Sequence, residues 1–249
     1  AVTGVQTCAL PIYGRNFIAD AIARGAVAVL GSPGLTAPEP VARLESDNPR
    51  RALARLAARH FGRQPDTVAA VTGTNGKTSV AVFTRQLWTL LGHQAASLGT
   101  LGIEAPTYVR AGSLTTPDPV TLHQDIAELA DAGVSHLAME ASSHGLDQFR
   151  LDGIRIAAAA FTNLTRDHLD YHGTMDAYFA AKRRLFAEVM VPGGAAVLNA
   201  DAEQAASLAE ASRAQGHRVI TYGRRAEDLR LTGTTPLPSG QRQIGRAHV

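Results

Sequence analysis

The chain has 249 residues, 45% apolar, 18% charged and 5% aromatic, which is long enough for one large or two modest globular domains. A net charge of +2 gives no reason to expect nucleic acid or a membrane as a partner, and no apolar run approaches the roughly 20 residues that cross a bilayer. A single cysteine, Cys8, excludes an internal disulfide framework and is typical of a reducing compartment.

The two ends of the chain do not look like natural protein. Residues 7–12, Thr-Cys-Ala-Leu-Pro-Ile, can be encoded by a DNA string whose reverse complement, read one base out of frame, encodes residues 244–248. We therefore interpret residues 1–12 and 244–249 as translated sequencing adapter, so Cys8 has no functional meaning and the two ends carry no information about the fold. Genomic sequence at both junctions, obtained by resequencing the source DNA, would contradict this hypothesis.

Residues 13–65 have the pattern of an incomplete α/β unit. The apolar spacing predicts a helix from Phe17 to Ala23, and Ala26–Leu30 suits a buried strand. Three prolines then indicate a loop before a second helix at residues 50–61. Residues 62–66 have the composition of a linker, so we place a domain boundary there.

A strand, a glycine-rich turn and a helix follow the linker. Val68–Val71 suits a buried strand, the chain then breaks at Gly73 and Gly76, and a helical pattern begins. Free N–H groups at a helix N-terminus bind phosphate where glycines let the backbone approach; Lys77 adds a positive charge and Thr78 is placed to ligate Mg²⁺. Valine replaces the first glycine of the standard phosphate loop, so a plain glycine turn with an exposed lysine is the alternative.

From this point strands and helices alternate, which predicts an α/β fold with a mostly parallel sheet flanked by helices. The candidate strands are 67–72, 94–98, 135–140, 156–162, 194–199 and 217–222. The candidate helices are 77–91, 118–132, 174–190 and 202–215. Residues 229–243 are too short and polar to complete a further unit. Ligands of such sheets bind at the carboxyl ends of the strands, where the polar clusters of this chain fall.

Each polar cluster has more than one interpretation. Glu140 ends an apolar strand, where an acid can help to hold Mg²⁺, and the residues after it lack the G-x-S-x-G elbow of a serine hydrolase. Thr115 and Thr116 precede a helix, where they suit a ligand as well as a plain helix start capped by Thr116 or Asp118. Residues 167–172 include two acids and two histidines, which form a metal cluster or a plain polar loop. Lys182, beside apolar residues at helical spacing, has the pattern of a surface lysine.

Five ordered motifs resemble those of the Mur ligases, and the similarity extends over residues 13–243. The motifs are TGTNGKTS (72–79), LTTP (114–117), MEASSHGL (139–146), FTNLTRDHLDYHG (161–173) and Ala181-Lys182. Within the family they are most similar to the branch that adds the third residue of the peptidoglycan peptide. The resemblance implies a monomeric, cytoplasmic bacterial ligase that uses ATP and Mg²⁺. Its substrates would be UDP-MurNAc-L-Ala-D-Glu and a diamino acid, meso-diaminopimelate by default, joined through an acyl phosphate.

The matching motif positions imply roles for individual residues. ATP is expected at Gly73, Thr74, Asn75, Gly76, Lys77, Thr78, Ser79 and Asn199. The UDP-linked dipeptide is expected at Thr115, Thr116, Ser142, Gln148 and Arg150. One Mg²⁺ is expected at Thr78 and Glu140 and a second at His168, and Lys182 carbamylated by CO₂ is expected to supply a further oxygen ligand for Mg²⁺. The expected catalytic residues are Lys77, His168 and Lys182.

The same resemblance implies a domain order. Residues 13–65 would be the remainder of a UDP-substrate-binding domain and residues 66–243 an incomplete ATP-binding domain. The family's opening segment and its third domain, which selects the amino acid, would lie outside this sequence, so lysine and ornithine stay open as the residue added. Two alternatives remain, namely another Mur or folylpolyglutamate-type ligase and a nucleotide-binding switch that ligates nothing.

Overall fold

The computed structural model describes residues 14–112, 114–237 and 240–247. Residues 1–13 lie outside the described residues, and the predicted adapter-encoded start of the chain falls on them. The described part begins with a 3₁₀ turn (Gly14–Phe17) and helix α1 (Ile18–Ala23). A two-stranded parallel sheet of β1 (Ala28–Gly31) and β2 (Ala42–Glu45) follows, and then helix α2 (Pro49–Phe61). The Asn48 side chain caps α2 by accepting the Arg51 N–H at 2.9 Å, so both predicted helices are confirmed.

Ten further strands form the main sheet. They are β3 (Thr67–Thr72), β4 (Ala95–Gly99), β5 (Gly102–Glu104), β6 (Val109–Arg110), β7 (His136–Glu140), β8 (Ile156–Phe161), β9 (Met190–Asn199), β10 (Arg218–Gly223), β11 (Leu229–Leu237) and β12 (Gly240–Ala247). Their order is β12-β11-β10-β9-β8-β3-β7-β4-β5-β6. Seven neighbouring strands pair in parallel, in the order β11-β10-β9-β8-β3-β7-β4. At the two edges, β5 and β6 on one side and β12 on the other pair antiparallel. The predicted sheet is confirmed, with β3 between β7 and β8.

Among the described residues, the helices that connect these strands are the four that were predicted and two short ones that were not, which begin at Ser143 and Leu169. They are α3 (Lys77–Leu90), α4 (Pro119–Asp131), α5 (Ser143–Asp147), α6 (Leu169–His172), α7 (Met175–Arg184) and α8 (Ala205–Ala214). The predicted helix 174–190 is α-helical only as far as Arg184 and continues as a π-helical turn, Leu185–Val189. None of the described helices combines the length and apolar character needed to cross a bilayer.

The sheet carries a different apolar cluster on each face, because successive side chains of a strand point to opposite sides. On one face, α4, the π-helical turn and α8 pack on the strands; Leu122, Ile126, Phe186 and Leu208 belong to this larger cluster. On the other face α3 packs through a smaller cluster that includes Ala81. The outer face of α3 is an apolar stripe, with Phe83, Leu87 and Leu90 60%, 60% and 84% exposed.

The expectation that residues 229–243 form no further unit was wrong. Strands β11 and β12 form a long antiparallel hairpin from Leu229↔Ala247 to Leu237↔Gly240, and β11 extends the sheet beside β10. Most β11 side chains are exposed. Backbone hydrogen bonds rather than buried apolar side chains therefore hold this hairpin, and an apolar pattern could not reveal it. Strand β12 includes Ile244–Ala247, which the adapter hypothesis assigns to non-natural sequence.

Candidate functional site

The turn between β3 and α3 is built from glycines that no other residue can replace without strain. Gly76, the N-cap of α3, has φ 85° and Gly73 has φ 146°. A Cβ on Gly73 would collide with the Thr162 hydroxyl, far inside the 3.0 Å that real Cβ atoms keep. The sequence therefore folds here into a turn whose backbone lies directly against the end of β8.

The segment that follows β8, together with Tyr178 of α7, braces this turn through hydrogen bonds. The Thr162 hydroxyl donates to the Asn75 carbonyl at 2.6 Å, and the Asn75 N–H donates to Asn163 Oδ1 at 3.0 Å. The Thr165 N–H donates to Thr74 Oγ1 at 2.9 Å, and Thr74 Oγ1 also lies 3.1 Å from the Tyr178 hydroxyl. Part of the predicted polar segment after β8 therefore holds the turn in shape.

Two lysines converge on the Gly73 carbonyl oxygen. Lys77 Nζ donates to it at 3.0 Å and to the Thr74 carbonyl at 2.8 Å, and Lys182 Nζ donates to it at 2.9 Å. Lys182 is only 1% exposed, so its interpretation as a surface lysine was wrong. Within the described part of the chain, neither lysine forms an ion pair with a carboxylate. The turn thus collects two cationic groups, an arrangement that attracts an anion.

The surroundings disfavour the charge of both lysines. Burial, and then the nearby charge of Lys77, lower the pKa of Lys182 to about 7, while Asp167 opposes the shift. Burial also lowers the pKa of Lys77, against the attraction of Glu140 and Asp167. An anion bound at the turn would stabilise both charged forms.

Glu140 lies at the carboxyl end of β7 and is 1% exposed. Its Oε1 accepts the Thr100 N–H at 2.8 Å, and its Oε2 accepts the Thr100 hydroxyl at 3.3 Å. A Cβ on Gly99 would collide with this carboxylate, so the glycine makes room for it. Glu140 is therefore a buried carboxylate with a fixed direction and an electrostatic influence on Lys77.

The structure brings the five residues predicted for the UDP-linked dipeptide into one network. Thr116 Oγ1 donates to the Glu140 carbonyl at 3.2 Å and accepts the Ser142 N–H at 3.1 Å. Arg150 Nη1 donates to the Thr116 carbonyl at 2.6 Å, and Arg150 Nη2 donates to Gln148 Oε1 at 2.7 Å. The fifth residue, Thr115, shares a hydroxyl contact of 2.9 Å with Thr100, which itself binds Glu140.

Aromatic rings that the sequence analysis did not single out connect His168 to the turn. His168 is at the start of α6, in the left-handed conformation at φ 51°. The centroid of its ring lies 4.9 Å from the ring centroid of His144 and 6.1 Å from that of Tyr178. Lys182 Nζ lies 4.4 Å from the Tyr178 ring centroid. The spacing of Tyr178 and Lys182, four residues apart on one helix, was the available signal for this contact.

Asn199 joins the turn to a groove at the carboxyl end of β9. Its Nδ2 donates to the Thr162 carbonyl at 2.7 Å, and its Oδ1 accepts the Asp201 N–H at 3.0 Å. The groove has a volume of about 570 Å³, and its lining includes Tyr222 and Leu229. Thr162 therefore contacts both the glycine turn and the residue that lines the groove.

The oxygen and nitrogen groups predicted for metal binding lie around the turn without forming a compact cage. Thr78 is half-buried and Ser79 is exposed, both in the first turn of α3. Over the described ranges, no group of three or more His, Cys, Asp or Glu side chains is arranged to hold a metal ion. Water or a bound molecule would supply the remaining ligands of a metal ion held here.

Comparison with known proteins gives consistent matches. The family model described as the Mur ligase middle domain matches residues 71–243. UDP-N-acetylmuramoyl-L-alanyl-D-glutamate--2,6-diaminopimelate ligase of Bradyrhizobium diazoefficiens is 55% identical over 225 residues, covering 88% of this chain and 46% of the relative. The ligase of the same name from Caulobacter vibrioides is 49% identical over 248 residues, covering 96% of this chain and 51% of the relative. The chain thus spans about half the length of the curated relatives it matches.

Solved structures show the same fold. A structure of UDP-N-acetylmuramoyl-L-alanyl-D-glutamate--2,6-diaminopimelate ligase is 28% identical with a TM-score of 0.79, covering 93% of this chain and 49% of that one. The MurF ligase of Thermotoga maritima in complex with ADP is 18% identical with a TM-score of 0.57, covering 94% of this chain and 50% of that one, and shows the fold alone. The predicted α/β fold and the resemblance to the Mur ligases are both confirmed.

Proposed function

The chain belongs to the Mur ligase family, and on that premise we propose that it is part of an ATP-dependent amide ligase. Its substrates are UDP-N-acetylmuramoyl-L-alanyl-D-glutamate and a diamino acid, with meso-diaminopimelate as the default because the relatives bear that name. The reaction extends a peptidoglycan precursor in the bacterial cytoplasm. A second candidate, a folylpolyglutamate-type ligase, shares the fold but lacks comparable sequence identity.

The observation that carries this proposal is the convergence of Lys77 and Lys182 on the Gly73 carbonyl. A carboxylate is a poor electrophile because its charge is delocalised, so a ligase first transfers the γ-phosphoryl group of ATP to it. That step brings an anion up to a triphosphate. The positive charge of Lys77 at a phosphate turn lowers the barrier to such a step, and Lys182, buried against the same carbonyl, is placed to serve as the metal ligand described below.

In this proposal Gly73–Ser79 bind the phosphates and Asn199 lies near the adenosine. The free N–H groups at the start of α3 face the phosphates, and Lys77 leaves its carbonyl partners to bind the β and γ groups. The side of the groove formed by Asn199 and Tyr222 supports the base-binding role, whereas the lining also includes Gly245–Ala247, which the adapter hypothesis assigns to non-natural sequence.

The residues present suit Mg²⁺, which needs only one or two carboxylates when substrate phosphates and water complete its octahedron. The buried carboxylate of Glu140 and the hydroxyl of Thr78 would hold one ion, and His168 and Lys182 a second. When bound, Mg²⁺ supplies positive charge that offsets the charge of the phosphates. The fixed orientation of Glu140, held by Thr100, is the feature of this chain that favours such a role.

Lys182 fits the carbamylation that the family resemblance implies. A neutral amine adds to CO₂ and loses a proton, which gives an anionic carbamate with two oxygens. The pKa of about 7 leaves a large fraction of Lys182 neutral near physiological pH, because burial disfavours the ammonium. An anionic carbamate beside Lys77 would also relieve the repulsion between two cations.

The network around Thr116 supports recognition of the UDP-linked dipeptide. Arg150 presents a guanidinium fork, which suits a carboxylate, and Thr115, Ser142 and Gln148 add polar groups. The D-glutamyl carboxylate attacks the γ-phosphorus and ADP leaves. The amine of the diamino acid then attacks the acyl carbon, phosphate leaves, and the amine loses a proton.

The domain assignment is part of the same proposal. Residues 13–65 would be what remains of the UDP-substrate-binding domain, and residues 66–243 an incomplete ATP-binding domain. Contacts between the two parts are specific, since Arg51 Nε lies 2.7 Å from Asp152 Oδ1 and Gln64 Nε2 donates to the Gly153 carbonyl at 2.9 Å.

The test uses a full-length version, meaning a protein as long as the relatives that contains this sequence. We would incubate it with ATP and UDP-N-acetylmuramoyl-L-alanyl-D-glutamate, adding diaminopimelate, lysine or ornithine in separate reactions. Release of phosphate together with a new amide supports the ligase and identifies the amino acid. Phosphate release that never yields an amide would support a nucleotide-dependent switch instead, and glutamate added to a folate would support the second candidate.

A further inference from the structure

We propose that Phe149, Asp152 and Arg184 form a positioning assembly that orients Gln148 and Arg150, the two side chains assigned above to the UDP-linked dipeptide. This inference rests on the proposed function and adds to it three residues outside the matching motif positions. The three act through their neighbours rather than by touching the substrate.

Phe149 occupies a backbone position that usually selects glycine. It follows α5 with φ 60°, its N–H donates to the Leu146 carbonyl at 3.1 Å, and the Arg150 N–H donates to the Gly145 carbonyl at 2.8 Å. This hydrogen-bond pattern is the Schellman motif, whose left-handed residue is most often glycine because a Cβ is unfavourable there. A phenylalanine at this position needs a compensating interaction of its ring.

The compensating interaction comes from Arg184. Its guanidinium carbon lies 3.9 Å from the Phe149 ring centroid, and its Nη1 donates to the Leu146 carbonyl. Its Nη2 donates to Asp152 Oδ2 at 3.1 Å. Arg184 therefore binds the end of α5, the Phe149 ring and Asp152 at the same time.

Asp152 fixes the orientation of the Arg184 guanidinium. Its side chain is 4% exposed and also lies 2.7 Å from Arg51 Nε of α2, whose guanidinium is 6.0 Å from the Phe149 ring centroid. The Asp152 carboxylate accepts a hydrogen bond from Arg184 and lies within ion-pair distance of Arg51, so it holds the Arg184 guanidinium in a defined orientation. The Phe149 ring thus has an arginine from α7 against it and one from α2 nearby.

The assembly connects two parts of the proposed active site. Arg184 is on the same helix as Lys182, two residues further on, whereas Phe149 separates Gln148 from Arg150. Arg150 reaches the Thr116 carbonyl at 2.6 Å only while the turn keeps its present direction. Loss of the arginine–ring contact would let this turn move, and Gln148 and Arg150 would move with it.

Phe149→Gly in the full-length version separates a positioning role from a merely structural one. Glycine suits φ 60°, so a simple helix end would keep its stability and its kinetics. If the ring positions the turn, the KM for the UDP-linked dipeptide rises about tenfold, while kcat and the KM for ATP change less than about twofold. Phe149→Tyr, which keeps the ring, should restore the wild-type KM.

Arg184→Lys gives an independent test, because lysine keeps the charge but loses the planar fork. We expect the same selective rise in KM for the dipeptide substrate. Arg183→Lys is the matched control, since Arg183 is exposed on the same helix, and its kinetics should equal those of the wild type. Wild-type KM values in both Phe149→Gly and Arg184→Lys would overturn the assembly.

A second measurement keeps this inference distinct from the proposed ligase function. Hydrogen exchange at the Arg150 amide of the 249-residue chain should accelerate about tenfold or more in Phe149→Gly if the ring holds the turn. If the wild-type full-length version forms no amide, the ligase proposal fails and the exchange rate alone decides the inference. Unchanged exchange in that variant would then overturn it.

Discussion

Lys182 is a lysine in a place that opposes its own charge. It is 1% exposed, the positive Lys77 is nearby, and its hydrogen-bond partner is a neutral carbonyl oxygen of Gly73. Natural proteins rarely bury a lysine without a carboxylate partner. Such a site is more easily explained by a function of the neutral amine than by stability.

Lys182→Ala in the full-length version should reduce ligation on the order of 100-fold or more, because it removes a proposed ligand for Mg²⁺. Added bicarbonate should not restore the rate, since alanine has no amine to carbamylate. Arg183→Ala, on the same helix but exposed, is the control and should retain activity. A wild-type rate in Lys182→Ala, measured by tripeptide formation, would refute the carbamate assignment.

Gly73→Ala should abolish nucleotide binding and destabilise the fold by more than about 2 kcal/mol, because its Cβ would collide with the Thr162 hydroxyl. Gly133→Ala is the matched control: Gly133 also has positive φ, at 82°, but has open space around its Cβ position. The control should cost about 1 kcal/mol and leave binding intact. Calorimetric titration with ATP and chemical unfolding measure both effects. If both variants lost stability and ATP binding equally, the backbone conformation rather than the collision with Thr162 would be the cause of the loss.

At the scale of elements, the contact between α2 and α4 joins the first part of the chain to the main sheet. Gly153 packs closely against Ala58 of α2: a Cβ on Gly153 would lie 2.5 Å from the methyl group of Ala58. His123 of α4 is 2% exposed beside it, and its Nε2 lies 3.3 Å from the Asp152 carbonyl oxygen. Little space remains at this contact for a larger or charged group.

Burial of His123 should make the fold sensitive to acid. Burial lowers the pKa of His123 to about 4, so between pH 6.5 and 4 the unfolded chain binds a proton that the folded chain does not. The free energy of unfolding therefore falls as the pH drops through this window, by on the order of 3 kcal/mol at most. In His123→Gln this part of the loss should disappear. Urea unfolding at several pH values compares the two, and parallel pH profiles would contradict the prediction.

Helices α4 and α3, which pack on opposite faces of the sheet, should respond differently to truncation of an apolar side chain. Ile126 of α4 is fully buried, so Ile126→Ala should cost about 2–5 kcal/mol. Leu87 of α3 is 60% exposed, so Leu87→Ala should change stability by no more than about 0.5 kcal/mol. Thermal and urea unfolding test the pair. A large loss for Leu87→Ala would show that the outer face of α3 is covered in solution.

Sequence patterns predicted the elements that alternate between strand and helix, and failed where the local signal was ambiguous. The glycine turn at Gly73 and the helix from Lys77 were predictable, because strand, turn and cap signals agree there. The π-helical turn and the early start of β9 at Met190 were missed, since the stretch Leu185–Val191, apolar except for Glu188, suits both a helix and a strand. Short α5 has too few residues for a period to be seen.

The site was predictable only in part for a related reason. Motif residues such as Glu140 were located from the sequence, and the structure brings them to the turn. The contacts of Tyr178 with Lys182 and of Arg184 with Phe149 depend on how separate helices pack. No pattern along the chain specifies such contacts before the fold is known.

At the scale of the whole molecule, the chain spans about half the length of the curated relatives it matches, 46% of the Bradyrhizobium diazoefficiens ligase. We therefore expect these 249 residues alone to bind nucleotide weakly and to form no tripeptide. Under the proposed function, the complete site would also draw on parts of the full-length relatives that these 249 residues do not match. Titration with ATP and chromatography of the reaction products measure this. Tripeptide formed by the chain alone would contradict it.

Thr162 has a mechanical consequence for nucleotide recognition. Its hydroxyl binds the Asn75 carbonyl, and its own carbonyl accepts Asn199, so one rigid peptide at the tip of β8 spaces the two ends of the site. The spacing between these two contacts would then select a bound nucleotide by its length. Under the proposed function this spacing corresponds to the distance from the base to the phosphates, so a bare triphosphate, which lacks the base, would reach only one of the two contacts.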